Sequence, residues 1–221
     1  MKTLSDIYRL NNCDKGNQKQ IVYDNGSVAV GHNYGDFYEP IFEHYVGNNP
    51  KILELGVWRG ASMLAHNEYF KGNCELWGVD VDNDIEFDVD NYPNMHYIVG
   101  NSEHNSILKQ LALNKYDIII DDASHIPFNQ TFNLCHYSKM LNIGGVYILE
   151  DLHCSLWNDF MKEPDGSQTK FEDSPLYFLI SRKKTKYMPH EDYSWLISNI
   201  KTIDLRVNNN WNSITSIITF K

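Results

Sequence analysis

The sequence predicts an α/β fold built on a mostly parallel, seven-stranded sheet with helices on both faces. Three observations carry this expectation. Five short apolar runs, at residues 52–55, 76–79, 96–99, 117–120 and 146–149, have the length and composition of buried strands. The segments between them are long enough for crossover helices, which is the arithmetic of βαβ units. Two late runs, 202–207 and 214–220, flank Asn208-Asn209-Asn210-Trp211 and predict a C-terminal antiparallel hairpin closing one side of the sheet.

Residues 1–50 are polar and glycine-punctuated, and they read as an N-terminal cap or lid ahead of a domain spanning 51–221. They contain Asp14-Lys15-Gly16, a short amphipathic segment at 41–46, and an aromatic stretch with His32, Tyr34, Phe37 and Tyr38. Those rings either cover a bound molecule or simply pack. After the first strand, helices are expected at 61–70, 106–113 and 128–141, the last stopped by Asn142-Ile143-Gly144-Gly145. The polar segment 162–170 reads as an exposed, mobile loop. A chain of 221 residues suits one such domain.

Composition excludes several functions. With 29 acidic against 19 basic residues, the formal net charge of -10 repels phosphate backbones and anionic membranes, so neither nucleic acid nor membrane insertion is expected. No apolar run approaches the length of a membrane span and no leader is evident, which predicts a soluble, cytoplasmic protein. Four scattered cysteines form no Cys-x-x-Cys pair and indicate neither zinc nor a disulfide framework. They are expected to be buried thiols, with Cys154 partly accessible. No Gly-x-Ser-x-Gly elbow is present, which disfavours an α/β hydrolase.

The chemistry concentrates at strand ends, where open α/β sheets place their ligand crevice. Glu54-Leu55-Gly56-Val57-Trp58-Arg59-Gly60 follows the first strand. Gly56 and Gly60 let backbone approach a ligand closely, yet the spacing is not the dinucleotide fingerprint and the Lys-Ser/Thr of a phosphate loop is missing. Asp80 ends the second strand, where an acid can hold both ribose hydroxyls. Glu54 and Asp80 together suit S-adenosylmethionine. The bland reading is a tight turn with Asp80 capping a helix.

Asp121-Asp122-Ala123-Ser124-His125 and Glu150-Asp151-Leu152-His153 end the fourth and fifth strands. So many carboxylates repel one another unless a hard cation joins them. Magnesium or manganese suits an all-oxygen set better than zinc, and Asp122, Glu150 and Asp151 converge on one ion if the two strands are neighbours. His125, three residues past Asp122, is placed to act as general base on a hydroxyl held there. Taken singly, each of these residues is as well explained as a helix cap or a solvated strand end. His153, Trp157 and Tyr147 are candidate walls of an acceptor pocket. The run Arg182-Lys183-Lys184 with Lys186 is either a solvated face or an attraction for a phosphorylated acceptor.

The E-x-G-x-x-x-G loop with its following acid resembles the first motifs of the Rossmann-like class I methyltransferases, which bind S-adenosylmethionine. The segments 118–125 and 144–153, with Asp14-Lys15-Gly16 and His32-x-Tyr34, resemble more narrowly the metal-dependent sugar O-methyltransferases of macrolide tailoring and their relatives in bacterial polysaccharide clusters. The resemblance spans about residues 5–157. It implies adenine contacts from Asn101, Ser102 and Asp121, magnesium on Asp122, Glu150 and Asp151, and His125 as base. Asn101 stands where the family often has Asp. The implied acceptor is a sugar hydroxyl, small-molecule or nucleotide-linked, in a bacterial glycan, capsular polysaccharide or nucleotide-sugar pathway. A metal-dependent hydroxylase and a non-catalytic binding module remain alternatives on the same scaffold, and a homo-oligomer is compatible with the sequence.

Overall fold

The computed structural model describes residues 2–17, 21–22, 28–163, 165–208 and 212–221. Seven strands, β1 Lys51–Leu55, β2 Glu75–Asp80, β3 Met95–Val99, β4 Tyr116–Asp121, β5 Leu141–Leu149, β6 Ile200–Val207 and β7 Ile214–Phe220, form one sheet in the order β3-β2-β1-β4-β5-β7-β6. The first five are parallel, and β7 runs antiparallel between β5 and β6. This is the expected sheet with its C-terminal hairpin, whose strands lie in reversed spatial order. The hairpin turn at Asn209, Asn210 and Trp211 falls outside the described residues.

Helices α1 Leu4–Leu10, α2 Gly35–Phe42 and α3 Ala61–Tyr69 pack with one face of the sheet, where Ile52, Ile118, Ile120, Val146 and Ile148 meet Leu4, Tyr8, Tyr38, Phe42 and Met63. Helices α4 Asn105–Leu111, α5 Pro127–Tyr137, α6 Pro175–Ser181 and α7 His190–Asn199 pack with the other, where Leu53, Leu55, Ile119, Tyr147 and Leu149 meet Leu111, Leu134, Phe178 and Leu196. Strand alternation assigns these residues: 52, 118, 120, 146 and 148 share a parity. Each fully buried Leu, Ile or Phe contributes about 1.5–3 kcal/mol of burial free energy, so both faces are well anchored. The segment before β1 shares this core through α1 and α2.

One local expectation needs correction. The expected helix 128–141 ends at Tyr137, with one 3-10 turn to Met140, and the glycine pair does not make a turn after it. Leu141 already pairs with Tyr116, and the next paired residues are Val146 and Ile118, so residues 142–145 form an irregular strand entry with Gly144 at φ 79°. Residues 165–168 are exposed, as expected, and this loop is tied by a bridge between Lys162 and Gln168 and by the Glu163 amide, which donates to the Ser167 carbonyl at 2.7 Å. Among the described residues no helix is long and apolar enough to cross a membrane.

Candidate active site

The alternation that sorts the core also sorts the acids. Glu54 shares the parity of Ile52, Asp122 that of Ile120, and Glu150 that of Ile148, so all three reach the α1–α3 face at adjacent strand ends. There they meet Lys15, which is 2% exposed. Its ammonium donates to Asp122 Oδ2 and to Glu150 Oε2 (3.0 Å) and lies 3.7 Å from Glu54 Oε1. The turn carrying Lys15 is pinned through its backbone, since Gly35 N donates to the Lys15 carbonyl (3.1 Å) and Asn33 N to that of Gly16 (2.8 Å). Tyr38 donates its hydroxyl to Glu150 Oε1 at 2.5 Å, and Tyr34 donates to Asp151 Oδ1 at 2.6 Å.

Burial pushes the Glu54 carboxyl up to about 7 against the pull of Lys15. It also raises Asp122 and, with Asp122 beside it, drives Glu150 well above the usual carboxylate range. Burial works against the Lys15 ammonium, but Asp122, Glu150 and Glu54 outweigh it and hold the group protonated. Asp151 behaves oppositely. Burial would raise it, yet His125, His32 and the Tyr34 bond together hold it below the usual range.

The loop after β1 needs its glycines. Gly56 and Gly60 sit at φ 80° and 82°, a region that favours glycine. A Cβ on Gly56 would meet the Asp122 carbonyl. Asp80 Oδ2 accepts from the amides of Val57 (2.9 Å) and Trp58 (2.7 Å), so the acid at the end of β2 holds the loop. A cavity of about 520 Å³ opens above β1–β4, and Gly56, Asp80, Asn101, Ser102, Asp122 and His125 are among its walls. Asn101 Oδ1 accepts from the Glu103 amide at 2.8 Å.

Asp121 points away from this cavity. It is fully buried on the opposite face, where Tyr147 donates to it at 2.9 Å and Asn133 at 3.2 Å. Burial lifts it to about 7 against those two bonds. Its side chain is linked to the cavity wall through Asn133, whose Oδ1 accepts from Ser102 at 3.2 Å. The parity of β4 thus gives neighbouring aspartates separate surroundings, and direct adenine contact does not fit the side-chain direction of Asp121.

On the wall of the same cavity, Asp122, His125 and Asp151 each offer a ligand atom within 4.8 Å of the others. His125 and Asp151 occupy the left-handed region, at φ 59° and 53°. Non-glycine residues hold that conformation at a cost, and functional sites concentrate it. Here it turns Asp151, which has the wrong parity for this face, toward His125: Nε2 lies 3.5 Å from Asp151 Oδ2. His125 Nδ1 is buried without a hydrogen-bond partner among the described residues. His32 and His153 stand 3.9 Å from Asp151 Oδ1.

These observations fit both expected groups. A glycine at position 56 that leaves the cavity wall without a side chain, beside the Asp80-held loop, suits an adenosyl ligand of the cavity's size. Carboxylate oxygens of Asp122 and Asp151 suit a hard divalent cation. Glu150, the third residue of the expected metal set, is engaged by Lys15 and Tyr38 and is not among the three whose donor atoms converge.

Sequence reasoning singled out the Lys15 and Tyr34–Tyr38 segments without their roles: they grip carboxylates and line no aromatic lid. The missing signal was the acid excess itself, since buried carboxylates on one face demand a buried cation. Tyr147 serves Asp121, so it is not a wall of the cavity. His153 is buried against the Trp157 ring at 4.7 Å, while Trp157 remains 44% exposed. Cys154 is buried, like the other three cysteines. Arg182 lies over Phe178, and Lys186 pairs with Glu163 at 2.8 Å; neither turns toward the cavity.

No family model matches the chain. It is 29% identical over 138 residues to 8-demethyl-8-alpha-L-rhamnosyl tetracenomycin-C 2'-O-methyltransferase of Streptomyces olivaceus, covering 58% of this chain and 35% of that protein. It is 24% identical over 146 residues to mycinamicin VI 2''-O-methyltransferase of Micromonospora griseorubida, covering 62% and 36%. The matched region is thus about a third of these relatives' length. A crystal structure of the mycinamicin-pathway methyltransferase MycE with Mg and SAH superposes with a TM-score of 0.71 at 20% identity, over 99% of this chain and 55% of that one. The fold is therefore the Rossmann-like class I methyltransferase fold, and in sequence the chain resembles the sugar O-methyltransferases of macrolide and tetracenomycin tailoring.

Proposed function

We propose that this chain is an S-adenosylmethionine-dependent, magnesium- or manganese-dependent O-methyltransferase. Its acceptor would be a sugar hydroxyl, free or nucleotide-linked, in a cytoplasmic step of a bacterial glycan, capsular polysaccharide or nucleotide-sugar pathway. The observation that carries this reading is that one cavity is lined both by the Asp80-held glycine loop and by the Asp122–His125–Asp151 cluster. The tetracenomycin and mycinamicin relatives, whose names specify rhamnosyl and 2''-O-methylation, support the sugar acceptor.

S-adenosylmethionine would supply a methyl group on a positively charged sulfur, and the cation would supply Lewis acidity toward a hydroxyl. The chain's own residues do the rest. Glu54, Asp80 and the loop through Gly56 and Gly60 hold the donor, with Asn101 and Ser102 at its far end and Asp121 bracing Ser102 through Asn133. Asp122 and Asp151 hold the cation, and Glu150 is the third carboxylate of the set, oriented by Tyr38 and Lys15. His125 takes the acceptor proton. Asp151 then stabilises the imidazolium across 3.5 Å. Holding acceptor and donor in line can contribute about 7–11 kcal/mol of the barrier reduction.

The test is methyl transfer from labelled donor to a panel of methyl glycosides and nucleotide sugars, with magnesium and with chelator. Metal-dependent gain of one methyl on a sugar oxygen is expected. Transfer that ignores the chelator would remove the metal from the account.

A further inference from the structure

The junction of the two half-sites is dominated by one ammonium. Lys15 Nζ bonds Asp122 and Glu150 and faces Glu54 at 3.7 Å, so it touches the donor loop's acid and two of the three carboxylates expected to hold the cation. It sits 2% exposed on a turn whose backbone is tied to residues 33 and 35, and it cannot swing aside as a surface lysine does. Glu54 Oε1 and Oε2 are buried and have no hydrogen-bond partner among the described residues, so the acid side is not saturated by protein donors. A positive charge and a divalent cation within one such cluster repel each other and share ligand atoms, here Asp122 above all.

We propose that Lys15 is the resident counter-cation of this junction and a positioning residue that sets its metal affinity: its ammonium competes with the divalent cation for Asp122 and Glu150, so removing it tightens metal binding. The inference rests on the metal-dependent reading above. A lysine that merely held the carboxylates in place would have the opposite consequence, because its loss would let them splay and weaken the site.

The experiment is calorimetric titration of Mn2+ into chelator-treated wild type, Lys15→Met and Tyr38→Phe, with thermal melts in parallel. Lys15→Met is expected to bind Mn2+ at least about tenfold more tightly than wild type and to gain more in Tm from it. Tyr38→Phe loses a bond to Glu150 but no charge, and should stay within about threefold of wild type. Unchanged or weaker Mn2+ binding by Lys15→Met overturns the proposal, as does equal tightening in Tyr38→Phe. If Lys15→Met does not fold alone, refolding in Mn2+ but not in K+ of matched ionic strength supports it, and a variant that stays unfolded in Mn2+ overturns it. S-adenosylhomocysteine binding to wild type is measured separately. Its absence beside tightened Mn2+ binding would end the methyltransferase reading and leave the competition standing.

Discussion

Asp121 and Asp122 are consecutive, and the sheet puts them in different worlds. Asp121 shares its face with Tyr147, Leu149 and α5; the Asn133 amide and the Tyr147 hydroxyl, buried and neutral, donate to it, and among the described residues no lysine or arginine pairs with it. Asp122 faces Lys15, His125 and Asp151 on the cavity wall. One step along a strand separates an acid held in the core from one on the cavity wall. The same parity rule places Glu54 and Glu150 with Asp122, whereas Asp151 joins them only because its backbone leaves the extended region.

The largest expected effect breaks the comparison on the chemical side. His125→Ala should lower kcat by about 10²–10⁴-fold while donor affinity changes little, as read by steady-state kinetics beside calorimetry. Near-normal turnover would remove His125 as base. Asp122→Asn should show the same separation with the loss appearing in magnesium dependence, and an unaltered metal titration would exclude it as a ligand.

On the structural side, Asp121→Asn should cost about 1–3 kcal/mol of stability, because its new amide nitrogen faces donors from Asn133 or Tyr147. Denaturant unfolding reads this. Folded variant should keep turnover within a few-fold of wild type, and a collapse comparable with Asp122→Asn would erase the distinction.

The pH dependence separates Asp121 from His66 by sign. Asp121 is raised from 3.8 to about 7 in the fold, so it binds its proton more tightly folded than unfolded. Its contribution is present at low pH and is lost as pH rises from about 4 to about 7. His66, on the Glu54 face beside Tyr8, is lowered from 6.5 to about 3, by burial first and then by Lys15. Its contribution is present above 6.5 and is lost as pH falls toward 3. Each should appear as a change of about 1.4 kcal/mol per pH unit in the stability gap between wild type and Asp121→Asn or His66→Gln, with opposite slopes. Parallel slopes would contradict the burial assigned to one of them.

The smallest effect sharpens the Asp151 side. Tyr34→Phe removes one bond to that carboxylate at 2.6 Å and should cost about 0.5–1.5 kcal/mol of stability, with a modest rise in the magnesium concentration needed for half activity. A loss as large as that of His125→Ala would mean that Tyr34 touches the acceptor.

Much of this arrangement was legible before any coordinates. Apolar runs of strand length located β1–β5 within a residue or two, except that β5 begins five residues earlier than its apolar core. The C-terminal pair was visible as two alternating runs. Gly56, Asp80, Asp122 and His125 are marked by their positions at strand ends, and all four line the cavity, whereas Gly60 packs against Ile85 and Phe87 and is not among its walls. Helices α6 and α7 escaped notice although Ser174-Pro175 and Pro189-His190-Glu191-Asp192 carry helix-start signals, with Ser174 Oγ accepting from Tyr177 N. Periodicity alone does not separate Asp121 from Asp122; register against Glu54 and Ile120 does. Lys15 was the hardest to read, because its partners lie 39, 107 and 135 residues away and only the closed fold brings them to one ammonium.

The most direct measurement is calorimetric titration of S-adenosylhomocysteine into wild type and Asp80→Ala. The account predicts binding of wild type at about micromolar Kd, near -8 kcal/mol, weakened at least tenfold in the variant because Asp80 both holds the loop and lines the cavity. No binding by wild type, with or without magnesium, would contradict the account and leave the Asp122–His125–Asp151 cluster to another chemistry.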